Sequence, residues 1–263
     1  MEGTPQASGA YALTVSYAGT PFAGFARQPG LDTVQGRLER ALSTALRREV
    51  QTVGAGRTDA GVHALGQVVS FDADGSEPGP AELLRSLNAL VGDGIVVTGI
   101  RRAAAGFSAR FDAEAREYRY RLVPGPVPPL FLEPVAWWPR RTLDLSTMRD
   151  AAGALLGEHD FRSFCVTESA EDRSTTRRIE LVEVVPEEHL GEHCVTVRVV
   201  GNAFLHSMVR VIVGSLVEVG AGRREPAWLA GVLAACDRAA AGPTAPARGL
   251  TLWHVSYPEE CWL

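Results

Sequence analysis

The stretch Gly56-Arg57-Thr58-Asp59-Ala60-Gly61-Val62-His63-Ala64 sets one carboxylate between an arginine and two small residues, and its flanks decide how the fold reads. A valine-bearing segment ending at Val53 precedes it and 66–71 alternates as a strand after it, so the carboxylate lies on a loop between two strands. Gly54, Gly56 and Gly61 let that loop turn sharply and let another molecule come close to its backbone. Outward from the loop, 11–17 alternates as a first strand. Thr33 then caps a helix on which Val34, Leu38, Ala41, Leu42, Ala45 and Leu46 recur at helical spacing. A helix over 81–90 and a strand over 95–100 complete the order strand, helix, strand, strand, helix, strand.

The pattern restarts in the second half. Residues 107–116 read as a connector, Tyr118-Arg119-Tyr120-Arg121-Leu122 alternates as a strand, and the Pro-rich run 124–129 leads to a helix over 145–156. Segments 178–185 and 194–200 alternate as a strand pair, helices follow over 206–219 and 226–235, and a last strand covers 250–257. The expected fold class is α+β: two similar α/β subdomains with mainly antiparallel sheets flanked by helices, and an active-site cleft between them. The expected division is a disordered lead over 1–9, a first domain over 10–106 and a second over 107–263.

Composition narrows the class. The chain has 263 residues, 46% hydrophobic and 22% charged, the balance of an ordinary soluble globular protein. No stretch reads as a membrane span or a signal peptide. Cys165, Cys194, Cys236 and Cys261 are far apart, which suits neither a zinc module nor a disulfide framework and fits a reducing cytoplasm. The net charge of −5 speaks against a nucleic-acid partner. Its distribution speaks the other way: all 26 basic residues are arginine, clustered at Arg101/Arg102, Arg116/Arg119/Arg121, Arg140/Arg141 and Arg173/Arg177/Arg178. Guanidinium forks grip phosphates and stack on bases, but a lysine-free, arginine-rich chain is by itself better read as the mark of a GC-rich genome, so arginine alone does not imply RNA.

Asp59 admits several roles. An aspartate in a Gly-rich turn commonly caps backbone. Asp59 with His63 supplies too few ligands for a metal, and the absence of Gly-Lys-Ser/Thr excludes a phosphate loop. A carboxylate nucleophile or base kept ionised by a guanidinium also fits. Arg210 lies in a largely apolar helix with His206, Ser207, Val213 and Gly214 at neighbouring spacing. It either needs a buried anion, for which Asp59 is the partner of choice, or it covers apolar surface with its stem and reaches water. Tyr118 and Tyr120 share a strand face; core packing is their default role, and stacking on a flipped base the alternative. His63 and His206 read as structural histidines.

These residues carry a resemblance. Gly56 to His63, Phe107-Ser108-Ala109-Arg110-Phe111, Tyr118-Arg119-Tyr120, and Asn202 to Arg210 with Gly214-Ser215-Leu216 occur in an order and spacing by which the chain resembles the TruA-type tRNA pseudouridine synthases, along nearly all of its length. The resemblance implies isomerisation of neighbouring uridines in the anticodon stem and loop of tRNA, with no metal or cofactor. It implies Asp59 as nucleophile, Tyr118 stacking on the uracil and aiding loss of the C5 proton, Arg210 paired with Asp59, and Arg57 holding the flipped nucleotide. RNA-holding roles extend to Phe107, Ser108, Ala109, Arg110, Phe111, Arg173 and Arg177. The implied partner is tRNA, read by shape along its anticodon arm and elbow and spanning both subunits of a homodimer. The rivals are a non-catalytic tRNA-binding chaperone and a metal-dependent hydrolase built on Asp59 and His63.

Overall fold

A computed structural model describes residues 9–166 and 174–263. The chain forms two compact units, one of residues up to Glu114 together with Leu252–Leu263, the other Ala115–Thr251.

In the first unit, β1 (Ala10–Tyr17) is the central strand, antiparallel to β3 (His63–Asp72) on one side and β4 (Ile95–Ala103) on the other. The two-residue β2 (Val53–Gly54) pairs with β3, which also neighbours β9 (Leu250–Ser256). α1 (Val34–Leu46) starts where the Thr33 hydroxyl accepts the Gly36 N–H, the cap expected from its sequence. Val34, Leu38, Ala41 and Leu42 of the stripe read from its spacing are buried, while Ala45 and Leu46 in the last turn are only half-buried. α2 (Pro80–Leu90) buries Leu83 and Leu87, and Asn88 ties it to β4 by exchanging two hydrogen bonds with the main chain of Val97, at 2.8 and 2.9 Å. Leu13, Val15, Val69, Leu38, Leu42, Leu83 and Leu87 form a fully buried core.

The first unit reaches beyond residue 106 because the connector bonds to it. Ala104 N–H donates to Cys261 O, Ala109 N–H to Ser70 Oγ, and Glu114 N–H to Ser256 O, at 2.9–3.0 Å. A chain segment whose polar backbone is satisfied by one unit folds with that unit.

The second unit is an antiparallel sheet in the order β5 (Ala115–Leu122), β8 (Glu192–Gly201), β7 (Thr176–His189), β6 (Gly157–Asp160). β7 and β8 form a hairpin turned by Leu190 and Gly191, both at positive φ (52° and 78°), the mirror-image turn that matches strand twist. α3 (Leu145–Ala152), capped by Asp144, ends in a 3-10 turn over Gly153–Leu155, so the helix expected over 145–156 stops early. α4 (Met208–Gly220) begins at Met208 because Ser207 is left-handed, φ 61°. α5 (Trp228–Ala235) follows. No helix among the described residues is long and apolar enough to cross a membrane.

Both units are thus mixed α/β with antiparallel strands, as the alternating patterns implied. Most of the expected lead falls on residues 1–8, outside the described residues.

Candidate active site

The loop over residues 54–62 is held by close packing and hydrogen bonds that leave it few alternatives. A Cβ on Gly19 would lie 1.9 Å from Val62 O, so only glycine permits this approach of the chain after β1. Gly19 N–H donates to Nδ1 of buried His63 at 3.1 Å, which places no proton on that nitrogen and gives His63 a scaffolding bond. Phe25 N–H donates to Thr58 O at 3.0 Å, next to Gly24 at φ 98°, and Ala55 N–H donates to Val68 O at 2.8 Å. Val62 N–H closes the turn onto Asp59 O at 3.1 Å.

Side chains grip the same loop from below. The Tyr17 hydroxyl lies 2.8 Å from Thr58 Oγ1, and Gln67 Nε2 donates to Gly56 O at 2.9 Å. Tyr17, Thr58 and Gln67 are all buried, and burial pushes the Tyr17 phenol up to about 12. Asp59 itself is half-buried at the loop crest, while Arg57 is exposed. Asp59 thus lies on a braced loop, with the neighbouring Thr58 and the Gly56 carbonyl held by the scaffold.

In the second unit, β5 presents Arg116, Tyr118, Tyr120 and Leu122 to the interior, as the alternation implied. The Tyr118 ring meets Phe204 edge-on at 5.1 Å and retains 7% exposure, whereas Tyr120 is fully buried and donates to Pro246 O at 2.7 Å. Arg116 Nη1 donates to Asn202 O at 2.6 Å, and Asn202 Oδ1 accepts Arg178 N–H at 3.0 Å, so Asn202 fastens the strand ends that lead into α4. Arg210 is half-buried in the first turn of α4, its Nε donating to Ala245 O at 2.8 Å. A Cβ on Gly214 would sit 1.7 Å from Pro243 O, so the 243–245 segment lies directly on the helix.

The 107–111 segment divides by side chain. Phe107 packs on Tyr257 and Trp262, both with centroids at 5.3 Å, and Ala109 is fully buried. Ser108 N–H is held by Asp112, while Arg110 and Phe111 are exposed, the guanidinium 5.5 Å from the ring centre. Arg177 Nη1 donates to Ser174 O and Thr176 O, and burial lowers its pKa; Arg173 lies outside the described residues. Three arginines of the sequence clusters are engaged within the chain: Arg119 pairs with Glu117, which Arg198 also meets, Arg101 covers Trp262 and Arg140 covers Trp138. One described trio has metal-ligand chemistry, Glu187, His189 and Cys194 on the β7–β8 hairpin. The Arg121 guanidinium lies close enough to act on that same thiol with its charge and Thr196 Oγ1 donates to Glu187, a setting unfavourable to a cation.

Sequence reasoning missed Tyr17, Gly19 and Gln67 as loop anchors. The available signal was a glutamine directly before the apolar pair Val68-Val69 of a strand, since a buried amide must find partners.

The tRNA pseudouridine synthase family model matches residues 13–112 and 151–258, which include the Asp59 loop, the 107–111 segment and α4. The chain belongs to the tRNA pseudouridine synthase family. It is 46% identical to tRNA pseudouridine synthase A of Brevibacillus brevis over 245 residues, covering 92% of this chain and 97% of the relative. It is 43% identical to the protein of that name from Geobacillus kaustophilus, covering 94% of each. The corresponding Frankia casuarinae protein is 44% identical, covering 94% of this chain and 89% of the relative. Membership in the tRNA pseudouridine synthase family thus spans both units.

Proposed function

We propose that this chain converts uridine to pseudouridine in the anticodon stem and loop of tRNA, with Asp59 as the nucleophile. The braced loop that carries Asp59, matched by the family model, is the observation that supports this reading most strongly.

The target base leaves the stack, at a cost of a few kcal/mol that contacts to the RNA must offset. The Asp59 carboxylate bonds to the base or to the ribose and the C–N glycosidic bond breaks, its electron pair staying with N1 of the uracil. The uracil turns, C5 bonds to the ribose carbon, the bond to Asp59 breaks and frees the carboxylate, and the C5 proton departs while N1 takes one up; nothing is oxidised or reduced. Tyr118, with its ring T-shaped against Phe204 and 7% of its surface exposed, would stack on the uracil and aid the loss of that proton. Arg210 would hold Asp59 ionised, its side chain already oriented by Ala245. Exposed Arg57, Arg110 and Phe111 are the described candidates to meet RNA, through phosphate and by stacking.

The finer expectations belong to the same proposal: a homodimer across which one tRNA lies, a cytoplasmic setting where tRNA is found, and turnover without metal. The non-catalytic chaperone reading finds no support in the relatives, which carry the name of a synthase.

The test is tritium release from C5-labelled uridine in an unmodified tRNA transcript, with chelator present. Release by the parent and none by Asp59→Ala, with RNA binding retained, is the expected result. Substantial release by Asp59→Ala would overturn the assignment.

A further inference from the structure

We propose that Tyr17 and Gln67 are positioning residues for the Asp59 loop, acting through the Thr58 hydroxyl and the Gly56 carbonyl; the proposal rests on Asp59 being the nucleophile. Glycines at 54, 56 and 61 give this loop wide conformational freedom, so a fixed carboxylate needs anchors outside it. The two side chains supply them. Tyr17 Oη meets Thr58 Oγ1 at 2.8 Å, one residue before Asp59, and Gln67 Nε2 holds Gly56 O at 2.9 Å. Gln67 Nε2 also reaches Tyr17 Oη, at 3.5 Å, which leaves the phenol hydrogen for Thr58.

The sheet is irregular where it serves this contact. Val15 pairs with Gln67, but Tyr17 pairs with Ala64, so the β1–β3 register slips between Val15 and Tyr17. Such irregularities re-aim side chains beside active sites. Thr58 is therefore gripped twice, by Phe25 N–H at its carbonyl and by Tyr17 at its hydroxyl. Burial keeps the phenol neutral at working pH, so it remains a hydrogen-bonding group and not a base. Loss of the contact frees the segment that carries Asp59 without touching RNA.

The experiment compares Tyr17→Phe, Thr58→Val, their double variant, Thr58→Ser and Gln67→Met in the full chain, with kcat and KM for tRNA and thermal midpoints. Tyr17→Phe keeps the ring stacked on Phe25 and removes only the hydroxyl. The expected result is a fall in kcat of about ten- to a hundredfold in Tyr17→Phe, Thr58→Val and Gln67→Met, the scale of loss from a group displaced by about 1 Å. KM should stay within about twofold, Thr58→Ser should keep activity, and the double variant should lose no more than either single change. Parental kcat in Tyr17→Phe, multiplying losses in the double variant, or a joint shift of kcat and KM that follows the thermal midpoint would each overturn the proposal. Asp59→Ala run alongside separates the two claims. If it is inactive while Tyr17→Phe is normal, positioning alone fails; if it turns over, the nucleophile reading fails and the proposal with it.

Discussion

Arg210 and Ala245 bond to each other twice: Arg210 Nε donates to Ala245 O at 2.8 Å, and Ala245 N–H donates to Arg210 O at 3.1 Å. The pair clamps the first turn of α4 to the 243–245 segment and fixes the direction of the guanidinium. Arg210→Met, which keeps the apolar stem and removes the charge, is expected to lower kcat by at least about a hundredfold, the scale of a lost preorganised charge contact. RNA affinity should change far less. Filter binding and single-turnover kinetics check this, and an equal loss of both would contradict it.

Gly214 is the second half of that clamp. Because a Cβ there would overlap Pro243 O at 1.7 Å, Gly214→Ala must push the segment off the helix. The expected cost is about 1–3 kcal/mol of stability, accompanied by reduced kcat as Arg210 loses its anchor. Chemical denaturation and turnover on the same sample measure both; an unchanged midpoint would show that the segment moves freely.

Tyr118 and Tyr120, two residues apart on one buried face, separate chemistry from packing. Tyr120→Phe removes the bond to Pro246 O and should cost about 1–2 kcal/mol while leaving turnover close to the parent. Tyr118→Phe should instead reduce kcat, whatever its effect on stability. Parental kcat in Tyr118→Phe would assign both tyrosines to the core.

Alkaline stability reports on the buried phenols. Tyr17 is raised from 10.0 to about 12, and burial raises Tyr120 as well. A raised folded-state pKa means that the folded state holds its proton more tightly. The associated stability is therefore complete below pH 10.0 and is lost as pH climbs through about 12. Urea midpoints across that window should fall steeply for the parent and less steeply for Tyr17→Phe. Parallel curves would show that Tyr17 does not titrate with unfolding.

The secondary structure was legible wherever one face of an element is buried. The Thr33 cap, the α1 stripe and the alternation of β5 all appear in the structure as their spacing implied. β6, with the sequence Gly157-Glu158-His159-Asp160, was not, because an edge strand of polar residues carries no alternation. The 107–111 segment showed a family motif but not that Phe107 and Ala109 face inward while Arg110 and Phe111 face solvent. That difference depends on Tyr257 and Trp262, more than a hundred residues away in sequence.

The sequence by itself determined the family, most of the elements, and the loop and helix on which Asp59 and Arg210 lie, since these depend on local periodicity and contiguous motifs. Only the tertiary structure decided how that loop is held. Tyr17 and Gln67 reach Thr58 and Gly56 from strands 41 and 11 residues away, and Gly19 is forced to be glycine by Val62. Hydrogen bonds and steric contacts depend on distance in space, which no local pattern records.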